Sequence, residues 1–198
     1  MIRIDAHRLS EWARRPCPPG GRTPDADAHL STEAVSVVRP SYMSRQLGIL
    51  SGLVVRCVDG SRGQPTEAEV TVEDGILGDR WASGRRDRGN QISAMNTAAA
   101  HTIANGQSVV LSGDNLFLDL DLSEAALPVG SQLTIGTVRF EVSADPHTPC
   151  MKFKARFGEP AFRRAAQDLR IRGILLTVVQ SGKLRVGDQI QVLSTPPS

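Results

Sequence analysis

Residues 139–153, RFEVSADPHTPCMKF, decide how the rest of the chain is read. Arg139-Phe140-Glu141-Val142 alternates polar and apolar side chains, the pattern of a half-buried β-strand. Asp145-Pro146-His147-Thr148-Pro149-Cys150 follows, with a proline on each side of the histidine and the second directly before the cysteine. Pro146 and Pro149 fix their own φ angles and push Asp145 and Thr148 toward extended backbone. The expectation is a stiff loop at the end of a strand, holding the Cys150 thiol in a defined direction.

Moving outward, residues 132–135 and 138–142 form a hairpin around Gly136-Thr137. Residues 49–58, 67–72, 91–95, 108–111 and 116–122 read as further strands, separated by glycine-rich turns. Asn96 caps a helix over residues 97–104, which Asn105-Gly106 ends. A short helix is expected near residues 123–127. A longer one spans residues 159–169, with Ala161, Phe162, Ala165, Ala166 and Leu169 toward one face. Residues 171–179 and 189–193 close the set of strands. Many short strands with a few short helices argue for a mainly β, barrel-like domain over residues 48–198. Residues 1–47 read as an extension, partly disordered or packed on the barrel or on a neighbouring subunit. Residues 14–21 of it are dense in proline and glycine, and residues 36–38 suit a short strand.

Composition narrows the function classes. The chain has 198 residues and a formal net charge of +2, so overall charge points to no polyanion. Aromatic residues are 4%, which argues against base stacking on nucleic acid. Three cysteines, Cys17, Cys57 and Cys150, do not make a disulfide framework, and a reducing cytoplasm is expected. Cys57 reads as a core residue and Cys17 as an exposed thiol. No apolar run approaches the ~20 residues that span a bilayer. No dinucleotide or nucleoside-triphosphate glycine fingerprint is present. His147 and Cys150 lack a second Cys/His pair to complete a zinc site.

Several short motifs occur in order: Gly75-Ile76-Leu77-Gly78-Asp79-Arg80, Asn90-Gln91-Ile92-Ser93, Gly113-Asp114-Asn115-Leu116, Leu133-Thr134-Ile135-Gly136, Thr148-Pro149-Cys150 and Val186-Gly187-Asp188. Through them the chain resembles the MOSC domain, the C-terminal domain of molybdenum cofactor sulfurases. The resemblance implies a β-barrel of the PK beta-barrel-like type. It also implies that Cys150 handles sulfur as a persulfide carrier or ligates molybdenum. The cofactor implied is molybdopterin-bound molybdenum. Pyridoxal phosphate would come only through a partner such as a cysteine desulfurase, and a molybdoenzyme is the other partner implied. Some relatives detoxify N-hydroxylated bases. Two positions depart from the family pattern: Trp81 stands where histidine is common, and His147 where arginine is common.

The candidate site follows from chemistry as well as resemblance. A cysteine reacts as its thiolate. Arg80, Arg85, Arg86 and Arg88 form the densest basic run, and a guanidinium pairs with phosphate in a fork geometry. Asn115, His147 and Arg172 complete the candidate cofactor-binding set. The alternative is a non-catalytic barrel that binds a small anionic ligand or a partner protein, with Cys150 merely packed.

Overall fold

The structure, a computed structural model, describes residues 47–84 and 87–194. The extension, with its suggested strand at 36–38, lies outside the described residues, as do Arg85 and Arg86. In chain order the elements are β1 (Leu47–Leu53), β2 (Val55–Arg56), β3 (Arg62–Gly63), β4 (Glu67–Thr71), β5 (Gly75–Ile76), β6 (Ile92–Asn96) and α1 (Thr97–Ala104). They continue with β7 (Leu116–Asp119), β8 (Gln132–Ile135), β9 (Val138–Val142), α2 (Met151–Gln167) and α3 (Leu169–Arg172). The last are β10 (Ile174–Gln180), β11 (Gly182–Arg185) and β12 (Gln189–Ser194). Short 3-10 turns cover Arg80–Ser83, Arg88–Asn90 and Val109–Ser112.

Seven strands close into a barrel in the order β1-β12-β8-β9-β10-β6-β7, with β7 returning to β1. Every pairing is antiparallel except β6 with β7, where α1 makes the crossover. Period-2 alternation explains what each strand buries. Ile92 and Ala94 of β6 and Leu116 and Leu118 of β7 point into the barrel core with Leu50, Leu133, Ile135, Phe140, Leu176 and Ile190. The intervening Met95 and Phe117 point the other way, into a second core with Ile103, Val110, Phe153 and Ala165. Strands buried on both faces read as unbroken apolar runs, which is why the Leu116–Phe117–Leu118 segment does not alternate.

Cys150 is exposed, three residues before Phe153 of the second core. The β9 strand ends at Val142, the proline-bearing loop crosses the barrel end, and Cys150 becomes the N-cap residue of α2. One turn into α2, Phe153 is fully buried in the second core, and its burial contributes roughly 1.5–3 kcal/mol to pinning the helix start.

Five local expectations change. Residues 108–111 form a 3-10 turn, because Gly113 adopts φ +83° and its N–H closes on Val110 O at 3.2 Å. Residues 123–127 form a hydrogen-bonded turn, not a helix. A helix starts at once after Cys150: Gly158, at φ +83°, joins residues 151–157 to the expected helix, in which Pro160 stands in the first turn. Ile171 and Arg172 belong to α3, not to the strand. Cys57, expected in the core, is half-buried just after β2.

Gly173 joins α3 to β10 at φ +107°, and a methyl there would meet Ala94 O of β6 at 2.1 Å. Both the left-handed φ and the contact exclude a side chain. Gly173→Ala should lower the unfolding free energy by about 3 kcal/mol or more, read from the urea midpoint. An unchanged midpoint would contradict this packing.

Candidate functional site

Two buried carboxylates organise the end of the barrel where Cys150 lies. Asp79 follows β5 and caps the 3-10 turn at Arg80–Ser83. It accepts hydrogen bonds from Arg56 N (2.9 Å), Nε (2.9 Å) and Nη2 (2.8 Å), from Trp81 N (2.9 Å) and from Asn115 Nδ2 (2.8 Å). Burial alone would raise its pKa, but the Arg56 guanidinium and the backbone donors outweigh that and hold the carboxyl below its usual range.

Asp114, at the Gly113-Asp114 turn before β7, is fully buried and lies 2.6 Å from Arg172 Nη1. Burial raises its pKa; Arg172, then His147 and the Ser112 hydroxyl, bring it below the ordinary value. Arg172 also stacks its guanidinium over Phe153, 4.9 Å from the ring centroid. His147 Nε2 stands 3.5 Å from Asp114 Oδ1, the geometry of an ion pair. Burial nevertheless pushes the imidazole pKa down to about 4, and the Arg172 and Arg56 charges push the same way, so His147 is neutral at pH 7. Its Nδ1 is buried with no hydrogen-bond partner.

With Arg56 and Arg172 neutralised, three arginines stay uncompensated. Arg62, Arg80 and Arg156 have no carboxylate within ion-pair distance among the described residues. They stand close enough for Arg62 to feel the others: its pKa is lowered by burial first, then by Arg156, Arg80 and Arg56. Its Nε is buried without a partner. Arg156, on α2, donates to Leu111 O at 2.9 Å and reaches the Gly113 turn. A methyl at Gly113 would lie 3.7 Å from Arg156 Nη1 and 4.0 Å from Arg62 Nη2. The Gly113-Asp114 turn therefore has guanidinium groups on one side and the His147 loop on the other.

The expected site residues separate into three groups. Cys150 is a free, exposed cysteine, and Arg80 is exposed. His147, Asn115 and Arg172 face inward, and Arg88 is exposed but tied down by hydrogen bonds. Asn115, expected to offer its amide to a ligand, donates to Val54 O and Asp79 Oδ2 and accepts from Ser93 N and Oγ, which uses the whole amide. Arg172, expected to clamp an anion, neutralises Asp114. Arg88, expected in the clamp, donates to Val72 O (3.3 Å) and Val178 O (3.1 Å) and ties its loop to β10. That loop still reaches the cysteine loop, because Gly89 packs on Asp145 so closely that a methyl would overlap its carboxylate. Arg85 and Arg86 lie outside the described residues.

Arg56, Arg62 and Arg156 escaped the sequence reading. Arg62 stands in a glycine turn, and Arg156 in a helical segment masked by Gly158 and Pro160. Their pairing across Gly113 has no local signal. Among the described residues no group of three His, Cys, Asp or Glu is placed to hold a metal, and no helix is long and apolar enough to cross a membrane.

Comparison with known proteins agrees with the barrel fold. The MOSC domain model matches residues 90–191, just over half of the chain. Five of the six motifs quoted above fall inside that match, and Gly75-Ile76-Leu77-Gly78-Asp79-Arg80 precedes it. The fold is similar to that of the YuaD protein from Bacillus subtilis, with TM-score 0.61 and 20% identity over 77% of this chain and 98% of that one. It is also similar to YiiM from Escherichia coli, with TM-score 0.53 and 21% identity over 79% and 73%. YiiM from Geobacillus stearothermophilus gives TM-score 0.55 and 17% identity over 74% and 75%. None of the curated proteins matches the sequence at a significant level.

The buried neutral His147 makes stability depend on pH. Its folded pKa, about 4, lies below the ordinary 6.5, so the unfolded chain binds the proton more readily. Its contribution is full above pH 6.5 and is lost as pH falls toward 4, by roughly 3 kcal/mol in total. Denaturant titrations should show that slope in the native chain and not in His147→Gln.

Proposed function

The chain belongs to the MOSC domain family, and on that premise we propose that Cys150 is its working group, a thiolate for soft-atom chemistry beside an anion site. One observation carries the reading. A free, exposed cysteine caps α2 after Pro149, and Arg156 of the same helix meets Arg62 at the Gly113 turn, with no carboxylate paired to Arg62, Arg80 or Arg156 among the described residues. Uncompensated guanidinium groups in one place call for an anion, and phosphate or a phosphorylated ligand suits their fork geometry.

Cys150 takes one of two roles. As a persulfide carrier, its thiolate attacks the outer sulfur of a donor persulfide. The donor S–S bond breaks, a new S–S bond forms on Cys150 Sγ, and the donor leaves as a thiolate. A cysteine desulfurase with its own pyridoxal phosphate is the donor class. As a molybdenum ligand, Cys150 supplies a soft sulfur while Arg62, Arg80 and Arg156 hold the phosphate of the pterin. The donor set fits such a group: an open thiol, and an unpartnered Arg62 Nε beside a glycine with no side chain in the way. A bound molybdenum cofactor would supply two-electron redox chemistry, with N-hydroxylated compounds as the substrate class. The chain's residues would orient it and keep the anion charge balanced.

A second reading, a non-catalytic module binding a small anion or a partner protein, is favoured by a separate feature. Among the described residues no hydrogen bond reaches the Cys150 sulfur, and His147 turns toward Asp114.

Protein purified from a host that makes molybdopterin separates these readings. The first requires near-stoichiometric molybdenum, or one added sulfur atom on the Cys150 peptide by mass spectrometry, and loss of either in Cys150→Ala. Absence of both, with phosphate binding intact, would leave the second. In either reading Arg156→Glu should weaken phosphate binding by about tenfold or more by calorimetry, since a hydrogen bond to a charged group contributes roughly 1.5–3 kcal/mol.

A further inference from the structure

Around the Gly113-Asp114 turn, Arg62 Nε, Asp114 Oδ1, His147 Nδ1 and Arg172 Nε are all buried without a hydrogen-bond partner among the described residues. Buried polar groups are met by protein, by ordered water or by a ligand, so orphans gathered in one place mark a space built for a polar occupant. The groups are neighbours. Arg172 Nη1 meets Asp114 Oδ2 at 2.6 Å, and His147 Nε2 stands 3.5 Å from Asp114 Oδ1. Arg62 reaches the same turn, with Nη2 4.0 Å from where a methyl on Gly113 would lie. Arg56 links the two sides: it donates to Gly113 O at 3.5 Å, and its charge acts on both Arg62 and His147.

The two nitrogens of the His147 ring have opposite hydrogen-bonding character. Asp114 is held ionised by Arg172 and its other partners, and an ionised carboxylate only accepts. A ring lone pair at Nε2 would face that buried negative charge, so the neutral imidazole carries its proton on Nε2. Nδ1 then holds the lone pair and calls for a donor. The orphaned arginine nitrogens call for the opposite, an acceptor. An occupant that meets both must accept from guanidinium and donate to histidine. Sulfate only accepts. An oxyanion with one retained hydroxyl does both, through its P–O oxygens and its P–OH group.

We propose that His147 selects the anion: its Nδ1 accepts from a P–OH group, so the ligand is hydrogen phosphate or a phosphate ester that keeps one proton, and not sulfate. The inference rests on the anion site proposed above and names the ligand class of that same site. His147 is a specificity-determining residue in it. The arginines supply attraction to any oxyanion, whereas the lone pair of Nδ1 repels an unprotonated oxygen and rewards a protonated one. Asp114 is the positioning residue, because its carboxylate sets which ring nitrogen carries the proton.

Calorimetry of the full chain with sodium phosphate and sodium sulfate tests it, at mildly alkaline pH, where both anions carry two charges and only phosphate carries a proton. The native chain should bind phosphate about tenfold or more tightly than sulfate, the effect of one hydrogen bond to a charged group. His147→Gln keeps a donor toward Asp114 and loses the Nδ1 acceptor, so its phosphate-to-sulfate ratio should fall to near unity with sulfate affinity unchanged. Arg62→Ala should weaken both anions and leave the ratio as in the native chain. Equal affinities in the native chain, as a water molecule at Nδ1 would give, overturn the role of His147 and leave the anion site standing. A preference that survives His147→Gln overturns that role too. Binding of neither anion overturns the anion site and its selectivity together.

Discussion

The ion pair between Arg172 and Asp114 is the interaction on which the rest of the site depends. Both groups are out of water, and an unpaired charge there would cost several kcal/mol, so neither is tolerable without the other. The pair joins elements far apart in the chain: Asp114 leads into β7, and Arg172 ends α3 just before β10. Its third contact, the Arg172 guanidinium over Phe153, extends the constraint to α2. The loop between β9 and α2 is thereby held from below at His147 and from behind at Phe153. Cys150 is left outward on a loop with two prolines and two anchors. The position of the thiol is a consequence of buried electrostatics more than of the prolines alone.

The same pairing of charge leaves two regions of the molecule electrically unbalanced. Asp79 and Asp114 each absorb one arginine, Arg56 and Arg172, and among the described residues no further carboxylate pairs with Arg62, Arg80 or Arg156. Arg62, Arg80 and Arg156 therefore present an unbalanced positive field around Gly113. Near α3 the imbalance is reversed, with Asp119, Asp121 and Asp168 unpaired around an apolar floor. A net charge of +2 conceals both, because the two regions nearly cancel in the sum. The cavity near α3 does not have Cys150 in its lining, so it does not locate the thiol chemistry. The reactive group and its uncompensated cations do.

Much of the barrel was legible in the sequence because its signals are local. Asn96 as a helix cap, Gly136-Thr137 between two alternating runs, and the stiff loop before Cys150 each depend on a few neighbouring residues. The errors fell where a distant contact overrides local preference. Val109 and Val110 have strand-like side chains, yet Gly113 curls them into a 3-10 turn against α1. Ile171 looked like strand, but Arg172 must reach Asp114, and Gly173 makes the turn that allows it. In the site, the residue types were identified more readily than their partners. Cys150 and Arg80 are open, as their settings suggested. Asn115, Arg172 and Arg88 have hydrogen-bonding groups that any sequence reading would offer to a ligand, and only tertiary pairing shows them occupied.

The central claim is that the field of Arg62, Arg80 and Arg156 reaches the sulfur of Cys150. The most direct measurement compares alkylation of Cys150 by anionic iodoacetate and neutral iodoacetamide, followed on the Cys150 peptide by mass spectrometry. The account predicts an iodoacetate-to-iodoacetamide rate ratio above that of a free cysteine, falling with added salt and in Arg62→Glu. A ratio equal to that of the free amino acid and insensitive to salt would contradict it.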